Sequence, residues 1–178
     1  MNIFKLRKFV CLPIILISFF SIESFSESIE EVVVKGSWRE KSANQEDSSF
    51  ILFSSKNVKA QSMKHFEQLS FLVPNLNFAA SDSRARYFQI RGIGERSGYQ
   101  GTPNSSVGLL IDDIDYSGQG GIATTFDVNQ IEVFRGPQGA RIGANALAGL
   151  IYIQTKDPTD TFEATSEATI GTYGTKST

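Results

Sequence analysis

Twelve of the fifteen glycines fall between Gly92 and Gly149, and this crowding limits what the second half of the chain can build. A glycine inside a helix costs about 1 kcal/mol relative to alanine, so long helices are excluded there. Close turns joining short strands are expected instead. Within that region, residues 107–111 and 114–117 are strand-forming runs on either side of Asp112-Asp113, a pair that reads as a two-residue hairpin turn because Asp tolerates positive φ. Ile131-Glu132-Val133-Phe134-Arg135 alternates apolar and polar as a strand does, and residues 150–155 form another apolar strand. Between them, the small residues from Ala144 to Ala148 read as a short helix.

The amino terminus obeys a different grammar. Lys5, Arg7 and Lys8 precede an uncharged apolar run from Phe9 to Phe20, and Ser24 and Ser26 stand at the spacing that signal peptidase reads. Residues 1–26 are therefore expected to be an export signal. An apolar run of about a dozen residues falls short of the roughly 20 needed to span a bilayer as a helix. Cys11, the sole cysteine, lies inside that signal. The mature chain then has no thiol, which removes disulfides, thiolate metal sites and cysteine nucleophiles together. A formal net charge of −2 argues against a nucleic-acid surface.

Behind the signal, residues 29–36 read IEEVVVKG, a β-branched run that can form a strand at an exposed terminus. Residues 37–49 turn polar, with almost nothing to bury, and read as a linker. A brief strand is expected at 50–53. Apolar residues at roughly three-residue spacing from Val58 to Leu72 suit short helices over 55–72, the last ended by Pro74. Strands at 75–79 and 87–91 follow, around a polar turn. Residues 50–158 thus sum to a small α+β (mixed α/β) domain. Beyond it, Phe162, Ala164, Ser166, Ala168 and Ile170 alternate with polar residues, the period of a transmembrane barrel strand, so residues 159–178 are expected to begin a β-barrel.

Several residues invite chemistry that their surroundings do not support. Asp112, Asp113 and Asp115 lack the loop length and terminal Glu of an EF-hand, and turn chemistry accounts for them. Gly92, Gly94 and Gly98 miss the dinucleotide-binding spacing by one residue. His65, the only histidine, falls in a predicted helix with no thiol or second histidine nearby, and no serine-nucleophile motif accompanies it. No enzymatic activity, cofactor or metal is expected.

Three blocks carry a family resemblance: VPNLNFAASDSRARYFQIRGIG at 73–94, VGLLIDDIDYSG at 107–118 and DVNQIEVFRGPQGARIGANALAGLIYIQTKDP at 127–158. In this order they resemble the plug domain of TonB-dependent outer-membrane receptors. The resemblance implies a small mixed β-sheet with short helices and glycine-rich loops, blocking a barrel of roughly 22 strands. The chain would then be a fragment that lacks most of that barrel. It implies residence in the cell outer membrane, and uptake of a small molecule such as a ferric siderophore, cobalamin or a carbohydrate. The partners implied are the chain's own barrel and TonB with its inner-membrane motor complex. Glu30, Glu31, Val32, Val33, Val34 and Lys35 look like the segment that TonB engages by strand addition; Lys35 stands where Thr is common. Arg91 and Arg135 would lock the plug to acids on the barrel wall. Arg96, Tyr99, Gln100, Tyr116 and Gln119 would face ligand from outward loops. Gly92, Gly94, Asp112, Asp113, Gly136, Pro137 and Gly139 would shape turns, with Asp113 where Gly is usual. A reading from another class, a free periplasmic binding module made by a truncated gene, predicts the same export and the same fold.

Overall fold

A computed structural model describes residues 32–37, 39, 41–80, 84–97, 104–120, 123–166, 168–174 and 176–177. The expected signal, and Glu30, Glu31, Tyr99 and Gln100, lie outside these residues. The core element is a five-stranded sheet in the order β3-β8-β9-β6-β7, formed by β3 (Phe50–Ser54), β6 (Val107–Ile111), β7 (Ile114–Asp115), β8 (Val128–Phe134) and β9 (Gly149–Thr155). Only the β6–β9 pairing is parallel. A separate hairpin joins β4 (Leu76–Ala80) to β5 (Ala85–Ile90).

Both faces of the sheet are covered, which explains why β9 is buried at six of its seven positions. One face presents Ile131, Val133, Ile151 and Ile153. These pack with Phe66, Leu69 and Val73 from the helical segment and with Phe88 and Ile90 from β5. Each such fully buried side chain is worth about 1.5–3 kcal/mol by transfer. The opposite face presents Phe134, Leu150, Tyr152 and Leu110, covered by Val34, Ala146 and Ile142. The two clusters follow the period-2 alternation of β8 and β9.

The helical stretch divides into α1 (Ser55–Ala60), a 3-10 turn at Phe66–Gln68 and α2 (Leu69–Leu72). Ser54 caps α1 by accepting from the Asn57 N–H. At the far end, Val73 takes an extended conformation ahead of Pro74, as the residue before proline must when the helical region is sterically disfavoured. The Asp112-Asp113 turn is also as expected, with φ of 47° and 68°, the two positive values of the primed hairpin turn.

Four expectations need correction. The helix expected at 144–148 lies upstream as α3 (Gly139–Ile142). It stops where Gly143 turns to φ 82°, and Ala146 is also left-handed at φ 63°. The amides of Ala146 and Ala148 then donate to the Ser105 and Ser106 carbonyls rather than to a helical turn. His65 precedes the 3-10 turn in extended backbone and bridges Thr124. Residues 37–49, read as a linker, contain β2 (Lys41–Ser42), which pairs with β1 (Val33–Val34), and a 3-10 turn at Ala43–Gln45. Composition misses this because the backbone makes the pairing and polar side chains do not prevent it. Finally, the described residues from 161 to 168 form no strand. The pairing nearby is confined to β10 (Thr169–Ile170) with β11 (Lys176–Ser177), because an alternating segment becomes a strand only with a neighbour to bond. Among the described residues no helix is long and apolar enough to cross a membrane.

Candidate functional site

The amino-terminal strand is laid on the second face of the sheet. Val34 is fully buried there, while Val32 and Val33 are exposed. Beneath it stands Glu132, a carboxylate with 0% exposure in the middle of β8. Its Oε1 accepts from the Lys35 N–H at 2.8 Å and its Oε2 from the Gly36 N–H at 2.7 Å. Gln130 donates its amide both to Glu132 and to the Val33 carbonyl, the latter at 3.0 Å. Burial pushes the Glu132 carboxyl above its ordinary range, and these three donors and the Arg141 charge pull it back. The approach is close: a Cβ at Gly36 would stand 2.5 Å from the Phe134 ring and 2.7 Å from Glu132 Oε2. Only glycine lets the backbone come this near.

Arg141, the basic residue in the last turn of α3, holds the same segment one residue further on. Its Nη1 donates to the Ser37 carbonyl at 2.7 Å, and its Nη2 pairs with Asp113 from the hairpin turn. The guanidinium lies 5.1 Å over the Tyr152 ring, a favourable cation–π placement. The Tyr152 phenol is pushed up to about 12, chiefly by burial and then by the Asp113 charge. Just beyond α3, Asn145 joins two loops, accepting from the Ser105 N–H at 3.0 Å and donating to Asp115 at 2.8 Å. Burial works to raise the Asp115 carboxyl, but bonds from Ser117 and Asn145 outweigh it and hold the group below its ordinary value.

The described parts of the two expected ligand loops come together at one end of the sheet. Arg86 Nε donates to the Gly118 carbonyl, and the space a Gly118 side chain would fill is bounded by Ser105. Glu95 closes the base of the first loop by accepting from the Ser106 N–H and hydroxyl at 2.9 and 2.7 Å. Arg96 and Gln119 are exposed, whereas Tyr116 packs partly against the main core. Arg91 and Gly92 form the turn between Ile90 and Ile93, both in left-handed backbone. Gly94 follows, with Phe88 backbone where a side chain would go. Arg135 is half-buried; its Nη2 donates to Ser49 Oγ at 2.9 Å, and its buried Nε has no acceptor among the described residues. Neither Arg91 nor Arg135 makes an ion pair among those residues. Gly136 and Pro137 lead the chain off the sheet, while Gly139 belongs to α3 rather than to the turn.

The aspartates of the hairpin are engaged by protein groups. Asp112 accepts from the Thr155 N–H and hydroxyl, Asp113 from Arg141 and Asp115 from Ser117 and Asn145. Sequence reasoning missed Gln130, Glu132, Arg141 and Asn145. Alternation along β8 puts Glu132 on the face of Phe134, but nothing local to the strand marks that face as covered at Glu132.

A mixed five-stranded sheet with short helices and glycine-rich loops, and a separate β-branched strand laid on one face, is the arrangement of a plug class of domain. Residues 42–150 match the family described as TonB-dependent Receptor Plug Domain, and the chain belongs to that family, one of non-enzymatic transport proteins of the outer membrane. It is 29% identical over 135 residues to a pesticin receptor of Yersinia enterocolitica, covering 75% of this chain and 19% of that protein. To the pesticin receptor of Yersinia pestis it is 30% identical over 128 residues, covering 71% and 18%. The chain thus spans about a fifth of the length of these relatives. Among solved structures, the fold superposes on the pyoverdine outer membrane receptor FpvA of Pseudomonas aeruginosa with a TM-score of 0.58 at 18% identity, over 74% of this chain and 19% of that one. The ferric yersiniabactin uptake receptor FyuA of Yersinia pestis gives 0.51 at 25% identity, over 68% and 19%.

Proposed function

We propose that this chain is the gating part of an energy-coupled outer-membrane transporter. In this reading the plug occludes a barrel, ligand meets the loops around Arg96, Tyr99, Gln100, Tyr116 and Gln119, and TonB pulls on residues 30–35. The observation that carries it is the pairing of a plug fold with a β-branched strand that lies on the plug by side-chain bonds rather than as part of its main sheet. Lifting it would uncover Val34 and the second-face cluster but leave the five-stranded sheet and the larger core cluster in place. A ligand of the iron–siderophore class is favoured by the relatives, which include receptors for pyoverdine and ferric yersiniabactin.

Strand addition draws its affinity from main-chain hydrogen bonds. Val33→Pro removes one donor and fixes φ, so a peptide of residues 29–36 carrying it is expected to bind the periplasmic domain of TonB about tenfold more weakly than the native peptide, a difference of about 1.4 kcal/mol and near one charge-free hydrogen bond. Equal binding, or none by the native peptide, would count against the coupling role.

Arg91 and Arg135 are proposed to lock the plug to acidic residues of the barrel wall. The buried, unpartnered Nε of Arg135 supports this, because an orphaned guanidinium N–H costs free energy that a bidentate carboxylate would recover. Charge reversal, Arg135→Glu or Arg91→Glu, is expected to lower uptake by cells several-fold and to raise leakage of small solutes through the barrel. Unchanged uptake and leakage in both variants would remove the locking role.

A further inference from the structure

Strand β6 runs from Val107, beside the Ser105 loop, to Ile111 and the Asp112-Asp113 turn. At that turn, and so at the end of the sheet away from the expected ligand loops, lies a cleft of about 470 Å³. Arg141 of α3 and the carboxyl end of β9 contribute to its walls. The volume falls within the roughly 300–1,000 Å³ of small-molecule sites.

Most of the polar lining is spent on the protein itself. Asp112 accepts from the Thr155 N–H and hydroxyl, Asp113 pairs with Arg141, and Lys156 pairs with Asp127 at 3.5 Å. Four groups of the lining are left over. Arg141 Nε is a buried donor without an acceptor among the described residues, and Gln154 Oε1 is a buried acceptor without a donor. The side chains of Lys35 and Asp157 add one charge of each sign, and neither forms an ion pair among the described residues.

Gln154 is the most constrained of the four. It is 6% exposed, and an amide oxygen buried without a donor costs free energy that a seated N–H offsets. A simple anion satisfies Arg141 and Lys35 but leaves Gln154 and Asp157 without partners. A metal ion does not suit the set either, since no three His, Cys, Asp or Glu side chains converge among the described residues. The leftover groups together call for a carboxylate, an N–H and an ammonium in one molecule. We propose that the cleft is a binding site for a short peptide with free termini, its carboxylate on Arg141 and Lys35, a main-chain N–H on Gln154 and its ammonium toward Asp157. The site is separate from the outward loops to which ligand contact is assigned above, and it does not depend on the transport reading.

Triglycine, which has both termini and no side chains, is the probe, titrated into the isotope-labelled full chain while amide resonances are followed by NMR. Saturable shifts are expected at Gln154, Thr155, Lys156 and Asp157, with the core amides of Leu109 and Ile131 unmoved. N-acetyl-triglycine and triglycine amide each lack one charge, and both are expected to bind at least about fivefold more weakly, because charge-assisted hydrogen bonds are the stronger ones. Asp157→Asn, at an exposed position, should bind triglycine no better than N-acetyl-triglycine. Gln154→Leu keeps the bulk and removes the acceptor, so it should weaken all three peptides alike. Absence of saturable shifts with triglycine overturns the site, and so does equal affinity for the three peptides. Should Gln154→Leu fail to fold, Asp157→Asn decides: undiminished discrimination against N-acetyl-triglycine in that variant also overturns it.

Discussion

Phe134→Ala is expected to destabilise the domain by about 3–5 kcal/mol, the range for truncating a fully buried aromatic ring. Its midpoint of thermal unfolding should fall by roughly 10–20 °C. Phe134 is 0% exposed and is the largest fully buried side chain of the second-face cluster. Its ring stacks on Phe50 at 5.9 Å between centroids and 27° between planes, an arrangement worth about 0.5–1.5 kcal/mol beyond area burial. The same ring lies against Gly36, so it is the floor on which residues 34–36 rest. Truncation leaves a void that neither β3 nor β9 can close, because both are bonded to β8 on its two edges. Phe134→Leu retains most of the volume and should cost much less. Denaturant unfolding monitored by circular dichroism checks both variants. A loss under about 1 kcal/mol for the alanine variant would mean that the second face is not a true core, and with it the seat of the amino-terminal strand would go.

That second face is also where the sequence is hardest to read. The first face declares itself: Ile131, Val133, Ile151 and Ile153 recur at every second position, and a strand is the only regular element that puts them together. The Asp112-Asp113 turn declares itself too, because two residues that tolerate positive φ stand between two strand-forming runs. Glu132 reads from local pattern as a solvent-facing residue on an alternating strand. Its burial depends on a segment almost a hundred residues away folding back over it, and no window of sequence contains that information. The position of α3 is a finer failure. Small residues from Gly143 to Gly149 satisfy a helix compositionally, but Gly143 and Ala146 adopt left-handed backbone, and the amides go to Ser105 and Ser106. Tertiary hydrogen bonds have overridden a weak local propensity.

The candidate site follows the same division. Turn residues such as Gly92, Asp112 and Asp113 were legible because turn chemistry is local, whereas Arg91, read as the end of a strand, takes the left-handed turn after β5. Arg91 and Arg135 were legible only through the motifs around them, and their proposed partners are not in this chain's sheet. Gln130, Glu132, Arg141 and Asn145 were not legible, since each acts by bonding residues distant in sequence. Their importance comes from topology, and topology was inferred from resemblance rather than from periodicity.

Gly149→Ala is expected to cost about 3 kcal/mol, at the upper end of ordinary overpacking. A methyl group there would stand 2.4 Å from the Phe134 carbonyl oxygen and 2.5 Å from Ile90 Cδ1. Neither neighbour can retreat cheaply. Phe134 belongs to the β8–β9 ladder opposite Leu150, and Ile90 is fully buried at the end of β5. The methyl must therefore either break register between the two central strands or push β5 off the sheet. Gly139, ten residues earlier in the same glycine-rich run, supplies the internal contrast. Nothing lies within 4 Å of its missing Cβ, and its φ is not in the left-handed region. Gly139→Ala should therefore be neutral or stabilising by about 0.4–1 kcal/mol through lost freedom of the unfolded chain. One run of glycines thus contains residues kept for room and residues that are merely permitted, and paired unfolding curves for the two variants separate them. Equal effects would mean that β5 does not press on the first residue of β9, and the packing of the β4–β5 hairpin against the sheet would have to be redrawn.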